Sequence, residues 1–319
     1  MLELPDGALA LPTVSRRLLL IVNPAAGAGR AARVLPQVQA ALTDHGLTHR
    51  TERTRDLEHA RSLAREASDA GEVAVTLGGD GLVGCVAGVL SQIPGSVLGV
   101  LPGGRGNDLA RVLDIPPDPV AATAVIADGV ERGIDLGEVD GRPFIGVASV
   151  GFDSEANRIA NDAPARLGNL VYAYGALRAL ASWRPACFEL ELDGVRRSFT
   201  GYSVVAANSR VYGGGMLIAP DALLDDGHLD VIISAHTPRW RFLASLPKVF
   251  QGRHVHEPTV SVSRCDQLRI SADRSFTVYA DGDPIAELPV MVTVRPRAVR
   301  VLCPLRAPAA LSPESVSPP

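Results

Sequence analysis

The stretch VAVTLGGDGLVGCVAGVL, residues 73–90, sets the fold. An apolar, β-branched run ends at Leu77. Three glycines then surround one carboxylate in Gly78-Gly79-Asp80-Gly81, and a run of small apolar residues follows. The first part reads as a strand, the last as a helix starting near Leu82, and the middle as the turn between them. A helix N-terminus offers unpaired N–H groups and the positive end of its dipole, which suits phosphate. Glycine lets the backbone approach a ligand with no Cβ in the way. Asp80 would repel phosphate by itself, so it points to a Mg²⁺ ion acting directly or through water. A plain strand-to-helix turn would accept the same residues.

The pattern recurs on both sides. LIVNPAAGAGRAARVL (20–35) and LGVLPGGRGNDLARVL (98–113) each run strand, glycine-rich loop, helix. Three such loops after three strands line up at the carboxyl edge of one parallel sheet, where open α/β sheets bind ligands. None has the GxxxxGK[ST] spacing of a P-loop or a clean GxGxxG with its acidic partner. Residues 16–137 alternate strand and helix throughout. From about 138 the chain is mostly strand, broken by helical patterns at about 155–182 and 238–251. Asp-Gly and Pro turns separate those strands, as in an antiparallel β domain.

The 319 residues suit two domains. A net charge of −4 gives no basic field for nucleic acid. Of 31 basic residues only Lys248 is a lysine, so phosphate must be held by Arg, backbone N–H groups or metal. Cys85, Cys187, Cys265 and Cys303 form no CxxC pair and read as reduced, mostly buried thiols of a cytoplasmic protein. No signal peptide or membrane-length apolar run is present, which leaves peripheral membrane contact. The segments 1–15 and 306–319 read as disordered ends.

In order along the chain stand NPAAG (23–27), TRDLEHA (54–60), GGDG (78–81), PGGRGND (102–108), IDLG (134–137), GFD (151–153), APDALLDDGHLDV (219–231) and DGDP (281–284). Together they resemble the diacylglycerol kinase catalytic family, in its soluble bacterial branch, which includes sphingosine and ceramide kinases. The resemblance implies a Rossmann-like three-layer α/β domain over 16–137, completed by a C-terminal strand near 300–305. A C-terminal antiparallel β-sandwich over 138–305 would carry the lipid substrate. It implies ATP- and Mg²⁺-dependent phosphorylation of a lipid hydroxyl in the cleft between them, serving phospholipid biosynthesis. ATP, a lipid acceptor and a membrane surface are then the partners, and a homodimer is admitted. By the same resemblance Asn23, Thr54, Gly78, Gly79, Asp80, Gly81, Gly104, Arg105 and Asn107 contact the nucleotide. Asp281 is the general base. Asp80, Asp108 and Asp135 organise Mg²⁺ through water. Leu223, Asp226 and His228 hold a second, structural Mg²⁺, although LLDDGHLD also reads as a solvated turn.

Two positions depart from the family pattern: Leu82 and Arg105 stand where threonines are usual. A hydroxyl is lost and a guanidinium is gained, which either clamps phosphate or faces solvent. Asp283 replaces a common Glu. Leu82 and Arg105 keep open a catalytically impaired nucleotide- or lipid-binding regulator, and GGDG, which NAD kinases share, keeps open an NAD kinase. The histidines show no metal spacing. PRWRFLASLPKVFQGRH (238–254) is basic and amphipathic, and fits either a helix packed on the second domain or one resting on an anionic membrane.

Overall fold

The structure is a computed structural model that describes residues 16–161 and 171–305. The segments read as disordered ends lie outside these residues.

The first lobe contains β1 (Arg17–Val22), α1 (Ala26–Asp44), β2 (Thr48–Arg53), α2 (Leu57–Asp69), β3 (Val73–Gly78), α3 (Asp80–Leu90), β4 (Val97–Pro102), α4 (Asp108–Val112) and α5 (Thr123–Asp128). The four strands pair in parallel in the order β2-β1-β3-β4. β1, β3 and β4 are almost wholly buried apolar runs, as strands covered on both faces must be. β2, THRTER, is polar and more exposed, as suits an edge. α1 packs with α5 and α2 with α3. The Asp56 side chain accepts the His59 N–H at 2.7 Å and caps α2, so TRDLEHA is a helix start, and the His59 ring accepts the Arg55 N–H at 3.3 Å. α3 starts at Asp80, two residues earlier than the apolar pattern suggests, because the Asp80 carboxylate is favourable in a first turn.

The second lobe follows as β5 (Val130–Val139), β6 (Arg142–Phe144), β7 (Val147–Gly151), α6 (Phe152–Asn161), α7 (Val171–Ser182), β8 (Ala186–Leu192), β9 (Val195–Ala207), β10 (Leu229–Ala235), α8 (Arg239–Ser245), β11 (Val260–Cys265), β12 (Gln267–Ala272), β13 (Thr277–Ala280), β14 (Asp283–Glu287) and β15 (Val290–Cys303). Two 3-10 turns, Leu246–Gln251 and Arg253–His256, follow α8. The alternating burial of β8 is that of a sheet with one face on a core. PVMVTVRP and AVRVLCP, which read as two strands, form the single strand β15. Its register shifts between Arg295 and Val299, where Arg297 takes a φ of +49°. β15 pairs with β12 at Gln267–Ile270 and with β4 at Arg300–Val301, so one strand runs through both lobes, and β5 lies antiparallel beside it. Conversely, TVSVSRCDQLRISA breaks at Asp266 into β11 and β12. Of the cysteines, Cys265 and Cys303 are buried and Cys187 is exposed.

The small residues of α3 form one contact between lobes. A Cβ on Gly88 would come within 2.9 Å of Pro143 Cγ in β6, and one on Gly84 within 4.0 Å of Asp281 Oδ2. A bulky side chain at either place would hold the lobes apart.

Candidate active site

Successive connections lead from β1 outward to β2 and then back over to β3, so the loops after β1 and β3 open on the crevice where such sheets bind ligands. Asn23 follows β1. Its N–H donates to Leu77 O at 3.0 Å and its Oδ1 accepts the Ala25 N–H at 3.0 Å. Thr54 folds back on the same strand, its N–H and Oγ1 both donating to Val22 O. The three glycine loops touch. The Gly103 N–H donates to Gly78 O at 2.7 Å. A Cβ on Gly104 would lie 2.4 Å from Gly79 Cα, and one on Gly27 2.5 Å from Gly103 O. No other residue type permits that approach.

Asp80 locks the rim. Its Oδ2 accepts the Asn107 N–H at 2.8 Å and its Oδ1 the Asp108 N–H at 2.6 Å. Asn107, at a left-handed φ of +52°, accepts the Gly104 N–H and donates back to Gly104 O. Arg105 is exposed and makes no hydrogen bond among the described residues. Leu82, in the threonine position, is 3 % exposed and turned into the first-lobe core, so its loss of a hydroxyl puts no apolar group into the cleft.

Asp281 comes from the turn between β13 and β14, at a φ of +49°. Its Oδ2 accepts the Ile145 N–H at 2.8 Å, and its Oδ1 accepts those of Gly146 and Val147 at 2.9 and 3.1 Å. The carboxylate is thereby aimed at α3, within 4.0 Å of the Gly84 Cβ position. Burial pushes its pKa up to about 6; the three N–H groups oppose the shift and the charge of Asp80 adds to it. Asp108, on the first lobe, reaches across to the second. Its Oδ2 accepts the Gly214 N–H at 2.9 Å, and burial, with Asp80 beside it, raises its pKa.

Asp135 is tied to the Asp281 platform through Asn208, whose side chain donates to both Asp135 O and Ile145 O. The Asp135 carboxylate oxygens accept the Gly227 N–H at 2.7 Å and the Arg297 N–H at 2.6 Å, and its own N–H donates to Leu224 O. It ties the irregular part of β15 to the 224–227 loop, because a completely buried carboxylate needs such donors. In that loop Asp226 Oδ1 accepts the His228 N–H, and His228 Nδ1 lies 2.6 Å from Asp266 Oδ1. Leu223 is partly exposed.

Among the described residues no three His, Cys, Asp or Glu side chains gather to ligate a metal. Yet Asp108 Oδ1 and Asp226 Oδ2 are both buried without a hydrogen-bond partner, Asp226 Oδ2 lying 3.5 Å from Arg264 Nη1. One carboxylate oxygen plus waters is the donor set Mg²⁺ accepts, so the residues fit the ion at both places. A separate cavity of about 460 Å³, with Glu155, Trp183 and Arg274 in its wall, is lined by none of Asp80, Asp108 and Asp281.

Two parts of the site were not singled out in the sequence. Gly213, Gly214 and Gly215, with φ of +62°, +81° and +111°, bring the second lobe against the 103–108 loop, and three consecutive glycines were the available signal. Asn208 is completely buried and its Nδ2 donates to Asp135 O at 3.0 Å and Ile145 O at 2.8 Å. It holds the segment that donates to Asp281. Asn208→Ala is expected to cost about 1–3 kcal/mol of stability, since it leaves buried carbonyls unpaired. Urea unfolding of both proteins measures this.

Residues 17–139 match the family model of the diacylglycerol kinase catalytic domain. The chain belongs to the diacylglycerol kinase catalytic family. Residues 146–303 match the YegS C-terminal NAD kinase beta sandwich-like domain. A diacylglycerol kinase of Mycobacterium tuberculosis (strain ATCC 25618 / H37Rv) is 34 % identical over 298 residues, 90 % of this chain and 95 % of that protein. A diacylglycerol kinase of Bacillus subtilis (strain 168) is 30 % identical over 288 residues, 86 % and 92 % of the two chains. The fold matches that of a diacylglycerol kinase crystal structure from Bacillus anthracis str. Sterne with a TM-score of 0.71 at 18 % identity, covering 91 % of this chain and 97 % of that one. The diacylglycerol kinase catalytic match holds all three glycine loops, and the sandwich match holds Asp281. A lipid kinase is the enzyme class this membership gives, with ATP as the phosphate donor.

Proposed function

We propose that the protein transfers the γ-phosphate of ATP to the hydroxyl of a diacylglycerol-like lipid, with Asp281 as general base. The observation that supports this best is the aim of Asp281: a carboxylate of the second lobe faces the first turns of α3, beside the rim built by three glycine loops. Asn23, Thr54 and the 78–81 and 104–107 loops would bind the nucleotide, the N–H groups of residues 79–81 and 105–106 meeting the phosphates. As the lipid oxygen bonds to the γ-phosphorus, the bond to the bridging oxygen breaks, ADP leaves, and the hydroxyl proton passes to Asp281. Asp80 and Asp108 would hold Mg²⁺ through water, and Asp226 a second ion within its loop. The ion, when bound, supplies neutralisation of phosphate charge. The product is a lipid phosphate, an intermediate for phospholipid synthesis, made where a cytoplasmic enzyme meets a bilayer.

Radiolabelled ATP offered with a panel of lipids and with NAD tests the reaction. Label in a diacylglycerol-type lipid is the expected result. Label in NAD, or ATP binding without turnover, would replace it with the NAD kinase or the regulator. Arg105, exposed on the rim, would approach the β- or γ-phosphate. Arg105→Ala is expected to raise the ATP KM about tenfold with little change in kcat, and an unchanged KM rejects that role.

A further inference from the structure

The cavity of about 460 Å³ in the second lobe takes no part in the reaction described above. Its walls are the first turns of α6, the segment 182–184 at the end of α7, and residues 274–279 with Glu287 of the β13–β14 hairpin. Its volume is that of a small-molecule site. Five charged residues stand in the wall: Glu155, Arg158, Arg184, Arg274 and Glu287. The two acids are engaged. Glu155 takes Arg158 at 3.0 and 2.7 Å, and Glu287 accepts the hydroxyls of Ser275 at 3.2 Å and Thr277 at 2.5 Å.

The donors are not used up. Arg184 makes no side-chain hydrogen bond or ion pair among the described residues. Arg274 gives an N–H to Arg184 O and lies over the rings of Trp183 and Phe276, 5.4 and 4.9 Å from their centroids, which fixes its plane. Trp183 is 5 % exposed, and its Nε1 is buried with no acceptor among the described residues. A buried indole N–H ordinarily finds a partner, and leaving it unpaired is costly. Guanidiniums and an N–H in surplus, beside acids already satisfied, suit a group with several anionic oxygens. A phosphate monoester offers such a group, with strong acceptor oxygens enough for all three donors.

We propose that this cavity is a second ligand site, apart from the catalytic rim, which takes the phosphate monoester group of a small molecule through Arg184, Arg274 and Trp183 Nε1. The chain has two tryptophans, so in Trp240→Phe the one that remains is Trp183, in the cavity wall. That variant is titrated, without ATP, with glycerol 3-phosphate, with dihexanoyl phosphatidic acid below its micelle concentration, and with glycerol. Calorimetry on the wild-type protein reads the same binding without the reporter. The expected result is saturable binding of a phosphate ester with a change in Trp183 emission, and none of glycerol. The dissociation constant should rise at least about tenfold in Arg184→Ala, whose exposed side chain can go without moving the melting temperature. Arg184→Lys keeps the charge but not the planar fork and should recover only part of the loss. Tighter binding of glycerol 3-phosphate makes the natural ligand a soluble ester, and tighter binding of the lipid makes it a lipid phosphate; either result supports the site. No saturable binding by either method, equal binding of glycerol, or binding undiminished in Arg184→Ala overturns the proposal, the last because the phosphate would then sit elsewhere. No phosphoryl transfer is measured, so none of these outcomes touches the lipid-kinase reading.

Discussion

Replacing Asp281 with Asn is expected to lower kcat by about two to four orders of magnitude while the ATP KM stays within about twofold. The amide has the volume of the carboxylate and keeps two of its three backbone contacts. Its oxygen can still accept from Gly146 and Val147, while its NH₂ is left opposite the Ile145 N–H. What is lost is the ability to take a proton. The wild-type protein should show the same dependence through pH. Asp281 ionises at about 6 because burial and the nearby Asp80 charge disfavour its anion. Only the anion is a base, so kcat should fall as pH drops below about 6 and level off above it. The Asn variant should lack this acid limb. An Asn variant with wild-type turnover, or a limb that persists in it, would remove Asp281 from the reaction.

The α/β lobe was legible because its signals are local. Gly78–Gly81, Gly103–Gly106 and the NPAAGAG loop each sit between a buried apolar strand and a helix, and sequence periodicity finds both partners. The long-range features were harder. β15 reads as two strands because Pro296 and the left-handed Arg297 interrupt its pattern, and only pairing with β5 on both sides of the irregularity makes it one. Asp135 lies beside the recognisable aspartates in motif order, but its carboxylate serves Gly227 and Arg297, which no spacing along the chain could place near it. The platform that aims Asp281 is built from the N–H groups of Ile145, Gly146 and Val147, and a backbone donor has no side-chain signature. Asn208, which holds that platform, is a single polar residue at the end of an apolar strand, a pattern shared by many strand ends.

Asp80→Asn carries the second large expected effect, and it separates two jobs of one carboxylate. The amide oxygen can accept only one of the Asn107 and Asp108 N–H groups as the carboxylate does, and the NH₂ opposes the other. Losing one charge-assisted bond at the joint of two loops costs about 1.5–3 kcal/mol, which for a protein of this size lowers the melting temperature by several degrees. Loops that meet as closely as Gly79 and Gly104 would then shift against each other, and phosphate positioning with them, so kcat/KM should fall by about two to three orders of magnitude. A lower melting temperature alone would describe a structural residue. The charge has a further consequence, since it is one of the causes that hold the Asp281 pKa up. Removing it lets Asp281 ionise more easily, so the acid limb of the residual activity should move to lower pH. Asp80 therefore reaches Asp281 through the cleft, from one lobe to the other, and the pH profile of this variant reads that distance in solution. A limb left at the wild-type position would mean that the Asp80 charge does not reach Asp281 in solution and that burial alone holds its pKa up.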